Sequence, residues 1–379
     1  MALVLNDDQR MIREAADGFF ADSAPVAEHR RLRDTKDPTG FSRDTWKAMA
    51  EMGFVGVLVP EAHGGSGLGA VEAGLVMEAM GRNLSAAPML STALLGATAL
   101  VKGGSAAQQA AHLPLMAAGE RLVALAADEA ARHAPFHVAT KAEPSGNGFK
   151  LSGVKPFVLD GHVADWLIVA ARTGGADGDR AGITLFLVPK DAAGLRTERR
   201  SMVDSRGVAR IVLEAVEVDG ADVLGTVGEG AGLLEAVLDV GRAGLAAEML
   251  GVAGESFVRT VDYLKNREQF GAKIGSFQAL QHRAAHLFCE LELARSATLR
   301  ALMALDEGDA RAAVFVSLAK AKAGDVARLA TNEAVQMHGG IGMTDDFDIG
   351  FFMKRARAAA ETFGDSAFHG DRLAQMVGY

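Results

Sequence analysis

The stretch YLKNREQFGAKIGSFQALQ, residues 263–281, closes one apolar-periodic helix and opens the next. A plain turn between helices needs a glycine or proline and something polar. This one also carries Arg267, Gln269, Phe270 and Gln278. Together they offer a planar cation, two amides and an aromatic face, the chemistry that holds a phosphate-bearing, ring-bearing cofactor. Two readings are open on these residues alone: a ligand clasp, or a polar loop in which Gly271 simply ends a helix.

On both sides of this stretch, from residue 221 to 379, the pattern is strongly helical. Leu234, Leu238, Gly241, Leu245, Met249 and Val252 form one stripe; Leu280, Ala284, Leu287, Leu291, Ala294 and Leu302 a second; Val314, Leu318, Ala321, Leu329 and Met337 a third. A fourth helix is expected over roughly 349–376. Four long helices with short links read as a four-helix bundle.

On the N-terminal side, residues 121–220 change period. Short strand-like runs at 122–126, 136–142, 149–151, 166–171, 183–189 and 211–218 alternate with turns such as SGNG and TGGADGDRAG. Their spacing suits an antiparallel barrel or sandwich, and no strand–GxGxxG–helix unit marks a dinucleotide fold. Residues 1–120 read as helical. Asn6 and Asp7 can cap a first helix, Ser42 a second that stops at Gly53, and a long helix runs from Ala70 to Gly81 after the loop GVLVPEAHGGSGLG. A further buried helix is expected over 86–99. The expected fold is thus mainly α with a β domain: a helical domain (1–120), a middle β domain (121–225) and a C-terminal bundle (226–379).

The 379 residues are 49% hydrophobic and 23% charged, ordinary for a globular protein. A net charge of −9 gives no reason to expect nucleic acid or an anionic membrane surface as partner. The lone cysteine, Cys289, is expected as a small apolar core residue. No disulfide framework can form within one chain, which suits a reducing, cytoplasmic setting. The start MALVLNDDQR lacks a basic lead and an apolar run, so no secretory leader is expected. The apolar stretch 86–101 is broken by Pro88, Ser91, Thr92, Gly96 and Thr98 and is too short for a membrane span. No metal site is expected.

With these residues in view, the chain resembles the acyl-CoA dehydrogenases nearly end to end. REQFGAKIGSFQ (267–278) resembles that family's flavin-binding signature, and so does QMHGG (336–340) followed by IGMT. GFVGVLVPEAHGGSGLG resembles its first-domain loop, and LSGVKPFVLDGHVADWLIVAAR its middle-domain strand pair.

The resemblance implies FAD, an acyl-CoA substrate with a fatty acyl or steroid side chain, electron-transfer flavoprotein as acceptor, and a tetramer. In the family a carboxylate removes the pro-R α proton while hydride leaves the β carbon. The flavin lies between subunits, one giving β-domain contacts and the other the Arg-Phe-Gln hinge and Gln-Gly-Gly turn. Carried over, Arg267, Phe270, Gln278, Gln336, Gly339 and Gly340 hold the cofactor, with Phe157 stacking on its ring. Gly339–Gly340 also reads as an ordinary helix C-cap turn, and the two roles are compatible. Asp239 and Arg242 match family positions that shape the acyl-CoA pocket, and read equally as an i,i+3 ion pair.

The sequence departs from the family at three places. The acidic-Pro-Ala-Gly-Ser-Asp segment has no match; here the region around Asp128 and Glu129 reads ALAADEAARHAPFHVAT. The Thr or Ser that hydrogen-bonds the flavin near N5 is Leu159. The catalytic glutamate is missing from both family positions, which fall at Gly364 and Gly241. Asp365 is the nearest candidate base in this chain, one residue late and one methylene short, with Glu361 a weaker one.

Contacts given to a neighbour's flavin are kept, and those given to a subunit's own flavin and substrate are eroded. That asymmetry implies one subunit of a heterotetramer, with a divergent homotetramer as the other arrangement. The remaining functions to separate are a catalytically silent flavin-clasping or structural partner subunit, and a flavin oxidase or hydroxylase of the same fold.

Overall fold

The computed structural model describes residues 3–379. In chain order the helices are α1 (Asp7–Ser23), α2 (Val26–Asp34), α3 (Arg43–Glu51), α4 (Ala70–Asn83), a π-helical segment (Met89–Gly96) running into α5 (Ala97–Gly103), and α6 (Ala106–Ala117). Strands β1 (Val123–Ala126), β2 (Lys141–Ser145), β3 (Gly148–Leu159), β4 (Trp166–Arg172), β5 (Ile183–Pro189), β6 (Leu195–Ser201), β7 (Gly207–Asp219) and β8 (Val223–Leu224) follow. Then come α7 (Ala231–Asn266), the hairpin β9 (Glu268–Gln269) and β10 (Ala272–Lys273), α8 (Gln278–Asp306), α9 (Ala312–His338), α10 (Ile349–Glu361) and α11 (Ser366–Val377). Two compact units result, one from 1–34, 70–86 and 242–379, the other from 35–69 and 87–241.

Helix starts follow the capping residues in the sequence. Asn6 opens α1 in a capping box with Gln9 (2.8 and 3.1 Å), and Ser105 does the same for α6 with Gln108. Ser42 caps α3 through the Thr45 N–H.

In the first unit, α4 starts on a carboxylate from another helix. Asp306, at the end of α8, accepts the Ala70 and Val71 N–H groups at 2.6 and 3.0 Å. Those are two of the donors a helix N-terminus leaves unpaired. The same helix crosses α7 at backbone contact. A Cβ added at Gly81 would lie 2.1 Å from the Glu248 carbonyl oxygen, and one at Gly251 would lie 2.0 Å from that of Glu78. Only glycine fits either place. Beside this crossing, Arg355 of α10 and Glu248 of α7 form a buried two-pronged ion pair at 2.8 and 2.6 Å.

The second unit is built on one eight-stranded sheet, in the order β6-β7-β3-β2-β4-β5-β8, with β1 parallel to β4. The long β3/β7 ladder carries two bulges. In one, β3 advances from Lys155 to Val158 while β7 moves only from Ile211 to Ala209. The extra residue bends the strand and re-aims its side chains. The core is mostly aliphatic, with Leu151, Val158, Leu167, Val169, Ile211 and Leu213 buried inside it beside the ring of Phe186.

Three expectations needed correction, and one strand was not foreseen. The fourth C-terminal helix is two helices, α10 and α11, broken at 362–365. The run 136–142 is a strand only from Lys141, because the Ala139 and Thr140 N–H groups go to the Glu129 carboxylate instead of a neighbouring strand. The polar edge strand β6, LRTERRS, gave no apolar alternation to see. Cys289 is exposed on α8.

Candidate functional site

The opening stretch folds as a tight two-residue hairpin. Gln269 pairs with Ala272 and Glu268 with Lys273, leaving Phe270 and Gly271 at the tip, both left-handed (φ +54° and +74°). Two positive-φ residues suit a type I′ turn, where Asn-Gly is usual. Phenylalanine there is a strained choice. Its ring is 93% exposed, so packing within the chain does not explain it.

The hairpin is held against the end of α9. Leu264, Ile274 and Met337 form a buried cluster, with Tyr263 and Leu280 against it. The Tyr263 ring stacks on His338 at 4.3 Å, and His338 is locked by its own Nδ1 at 2.7 Å from the Ala334 carbonyl oxygen. This packing brings the hinge and the Gln336-to-Gly340 turn into one neighbourhood. Gly339 (φ +68°) ends α9, its N–H returning to the Gln336 and Val335 carbonyls, so the turn does cap the helix.

The residues fit a flavin dinucleotide. Arg267, Gln278 and Gln336 are exposed and make no side-chain hydrogen bond or ion pair among the described residues. A Cβ at Gly271, Gly339 or Gly340 would meet nothing within 4 Å. A free guanidinium, two free amides and open glycine backbone form a cradle for a diphosphate and the polar edges of a ring system.

In the second unit, Phe157 lies in the β3 bulge, half-buried, and Leu159 ends the strand. Asp160 follows at φ +54° and accepts the Ser91 hydroxyl at 2.6 Å. Leu159 has no polar atom to offer a ring nitrogen. The eroded segment near Asp128 has a structural occupation: Glu129 accepts the Ala139 and Thr140 N–H groups and pairs with the fully buried Lys155 at 2.5 Å. Burial is the largest influence on Lys155, pulling its pKa down, while Glu129 opposes it.

The turn between α10 and α11 lies in the first unit. Phe363 (φ +57°) and Gly364 (φ +105°) are both left-handed. The Phe363 carbonyl accepts from Arg242 Nε at 3.3 Å and from His369 Nε2 at 3.1 Å. Lys320 Nζ donates to the carbonyls of Ala360 and Gly364, both at 2.9 Å. Cations suit the free carbonyls at a helix C-terminus. Asp365 caps α11 by accepting the Phe368 N–H at 2.8 Å. Arg242 is buried with its guanidinium 5.6 Å from the Phe368 ring centre, and Asp239 is buried in the other unit, on the preceding turn of α7.

Sequence reasoning missed Lys320 and His369. A signal existed: Lys320 stands in line with Val316, Ala323 and Ala327, an apolar stripe where a lysine is buried. Burial, then the nearby Arg242, lowers its pKa from 10.5 to about 7, while Glu361 and Asp365 act the other way and Arg355 with Arg242. The unfolded chain therefore binds the extra proton between about pH 7 and 10.5, and stability rises with pH across that window. Thermal unfolding of the wild type should gain several degrees from about pH 7 to 9, a rise absent in Lys320→Met. Identical pH profiles for the two proteins would contradict this.

Comparison with known proteins identifies the family. Residues 6–120 match the acyl-CoA dehydrogenase N-terminal domain, 126–216 the middle domain and 228–378 the C-terminal domain. The probable acyl-CoA dehydrogenase YngJ of Bacillus subtilis is 33% identical over 94% of each chain. Among solved structures, a variant of the Tcur3481–Tcur3483 steroid ACAD is 30% identical, with a TM-score of 0.88 over 98% of each chain. The ChsE4–ChsE5 complex of Mycobacterium tuberculosis is 25% identical, with a TM-score of 0.89 over 100% of this chain and 99% of that one.

The chain belongs to the acyl-CoA dehydrogenase family, a family of FAD-dependent oxidoreductases acting on CH–CH bonds. Among the described residues no helix is long and apolar enough to cross a membrane.

Proposed function

We propose that this chain is one of two unlike subunits of a heterotetrameric acyl-CoA dehydrogenase. In this reading it holds FAD through its clasp while the partner chain supplies the catalytic base, and electrons leave to an electron-transfer flavoprotein. The observation that carries the proposal is the turn at Gly364. The family's base position has a left-handed backbone, with Phe368 Cδ1 only 2.3 Å from where a Cβ would stand. The clasp, by contrast, is complete and unencumbered.

Bound FAD supplies the hydride acceptor. Arg267 neutralises diphosphate charge, Phe270 covers the cofactor with its exposed ring, and Gln278 and Gln336 hydrogen-bond its polar edges. Asp239 and Arg242 shape the side of the acyl-CoA pocket. Asp365, next to the base position, is engaged as a helix cap, so Asp365→Asn is expected to leave the rate of the complex within about threefold, whereas loss of a general base costs about 10²–10⁴. Two features support assembly with another chain. One solved relative above is the ChsE4–ChsE5 complex, and the other is the paired Tcur3481–Tcur3483 steroid ACAD. Helix α8 also exposes two large apolar side chains, Phe288 (53%) and Leu293 (56%), on different sides, which a neighbouring chain would cover.

The test is co-expression with an acyl-CoA dehydrogenase-like chain encoded nearby. Flavin per chain and anaerobic bleaching by fatty acyl- and steroid side-chain CoA thioesters would be measured with and without it. We expect flavin and bleaching only in the co-purified complex. A homotetramer with one flavin per chain and full activity would overturn the proposal. In the complex, Arg267→Ala should lower flavin affinity about tenfold to a hundredfold, the loss of a charged hydrogen bond of about 1.5–3 kcal/mol. Unchanged flavin retention would remove the clasp from the reading.

A further inference from the structure

Away from the clasp and the Gly364 turn, the first unit contains a cavity of about 260 Å³ bordered by α1, α4, α7, α8 and the N-terminal residues 3–5. It is graded from polar to apolar. Helices α4 and α8 run antiparallel, since Ala70 bonds Asp306 and Glu78 pairs with Arg295 at 2.9 Å. The polar end is therefore at Glu78 and Arg295, and the apolar end at Val71 and Leu302. Helix α1 runs alongside α4 in the same direction, with Gln9 bonding Glu72 and Asp17 approaching Arg82. That direction places Arg13 level with the polar end.

Two side chains there are unspent. The Thr298 hydroxyl is buried, lines the cavity and has no hydrogen-bond partner among the described residues. A buried orphan of this kind carries a desolvation cost that a ligand would relieve. Arg13 also lines the cavity, is half-buried, and makes no hydrogen bond and no ion pair within 4 Å among the described residues; it acts on Asp17, one turn further along α1, only through a longer-range charge interaction. The other charges at this end are engaged: Glu78 with Arg82 and Arg295, and Arg295 also with Glu292 at 3.4 Å. Arg10, one residue after Gln9 and so near the Glu72 level toward the apolar end, also lines the cavity and is engaged by Asp7 and the Leu5 carbonyl.

We propose that this cavity is a second, non-catalytic binding site for a medium-chain aliphatic monocarboxylate. The carboxylate meets Arg13 in the fork geometry a guanidinium offers, accepts the Thr298 hydroxyl, and sends its tail along the α4–α8 seam toward Val71 and Leu302. The site is independent of the flavin reading above, and its test does not use enzyme activity.

Sodium decanoate would be titrated calorimetrically into the full chain, alone or in its complex. The uncharged 1-decanol would serve as the comparison probe, with the flavin spectrum recorded throughout. Saturable decanoate binding without a flavin spectral change is expected. Arg13→Gln should weaken decanoate about tenfold or more while leaving decanol unaffected, and Thr298→Val should weaken it several-fold. Absence of saturable binding, or equal decanoate affinity in Arg13→Gln, overturns the proposal. A crystal structure of the wild-type protein with decanoate decides the case independently of the variants. Density for the chain in the cavity supports the site, and a lone water on Thr298 overturns it.

Discussion

The Gly364→Glu variant is expected to lose stability and gain no dehydrogenase activity, although it puts a glutamate where the proposed function places the family's missing base. At φ +105° any residue with a Cβ is strained, by about 1–3 kcal/mol. The new Cβ would also stand 2.3 Å from Phe368 Cδ1 and 3.0 Å from His369 Nε2. Overpacking of this kind costs about 1–3 kcal/mol more. The turn cannot rotate freely to make room, because the Phe363 and Gly364 carbonyls are held by Arg242, His369 and Lys320, and Lys320 also holds the Ala360 carbonyl at the end of α10. Gly364→Ala should share most of the loss, which separates the steric effect from the added charge. Thermal unfolding and anaerobic acyl-CoA bleaching check both variants. A Gly364→Glu protein with wild-type stability and new activity would mean that the turn yields, and would undo the argument for a base from another chain.

The second large effect is expected at the ion pair between Glu248 and Arg355. Both side chains are almost completely buried, at 1% and 7% exposure. Removing one partner leaves the other charge in a poorly solvating interior, at about 3–5 kcal/mol. Glu248→Ala should therefore lower the thermal midpoint by roughly 6–20 °C, taking about 2–4 °C per kcal/mol for a unit of this size. Leucine at both positions should recover most of the loss, since no charge is left without its partner. If the double variant is as unstable as the single one, the pair's geometry, and not its charge balance, is what the unit requires.

How much of this was legible depended on where the chemistry sat. The proposed clasp stands out in the sequence because Arg267, Phe270 and Gln278 crowd into a helix break that needs none of them. Its hairpin does not, because the left-handed tip uses phenylalanine where turn rules expect asparagine. The division of the last helix had a written signal, Gly364 followed by the cap Asp365, but apolar periodicity continued across it in Phe363 and Phe368. The positions of Gly364 and Leu159 came from resemblance. What occupies those places physically, a turn locked by cations and a strand end beside a bulge, depends on contacts from residues as distant as Lys320 and Arg242. Lys155 and Glu129 lay hidden for a similar reason: a buried charge reads as a surface one until its partner is known.

The glycine crossing of α4 and α7 also bears on how the protein is made. Gly81 and Gly251 are separated by residues 87–241, which build the other unit. On the ribosome, α1, α2 and α4 emerge well before the helices that will cover them. They must wait, apolar faces uncovered, while an eight-stranded sheet is synthesised and closes. Contacts so far apart in sequence form slowly and leave such surfaces prone to aggregation. Residues 1–120 are therefore not a fragment that can be cut out and expected to fold. Production of this chain will depend on translation rate and on chaperones that shield its first helices.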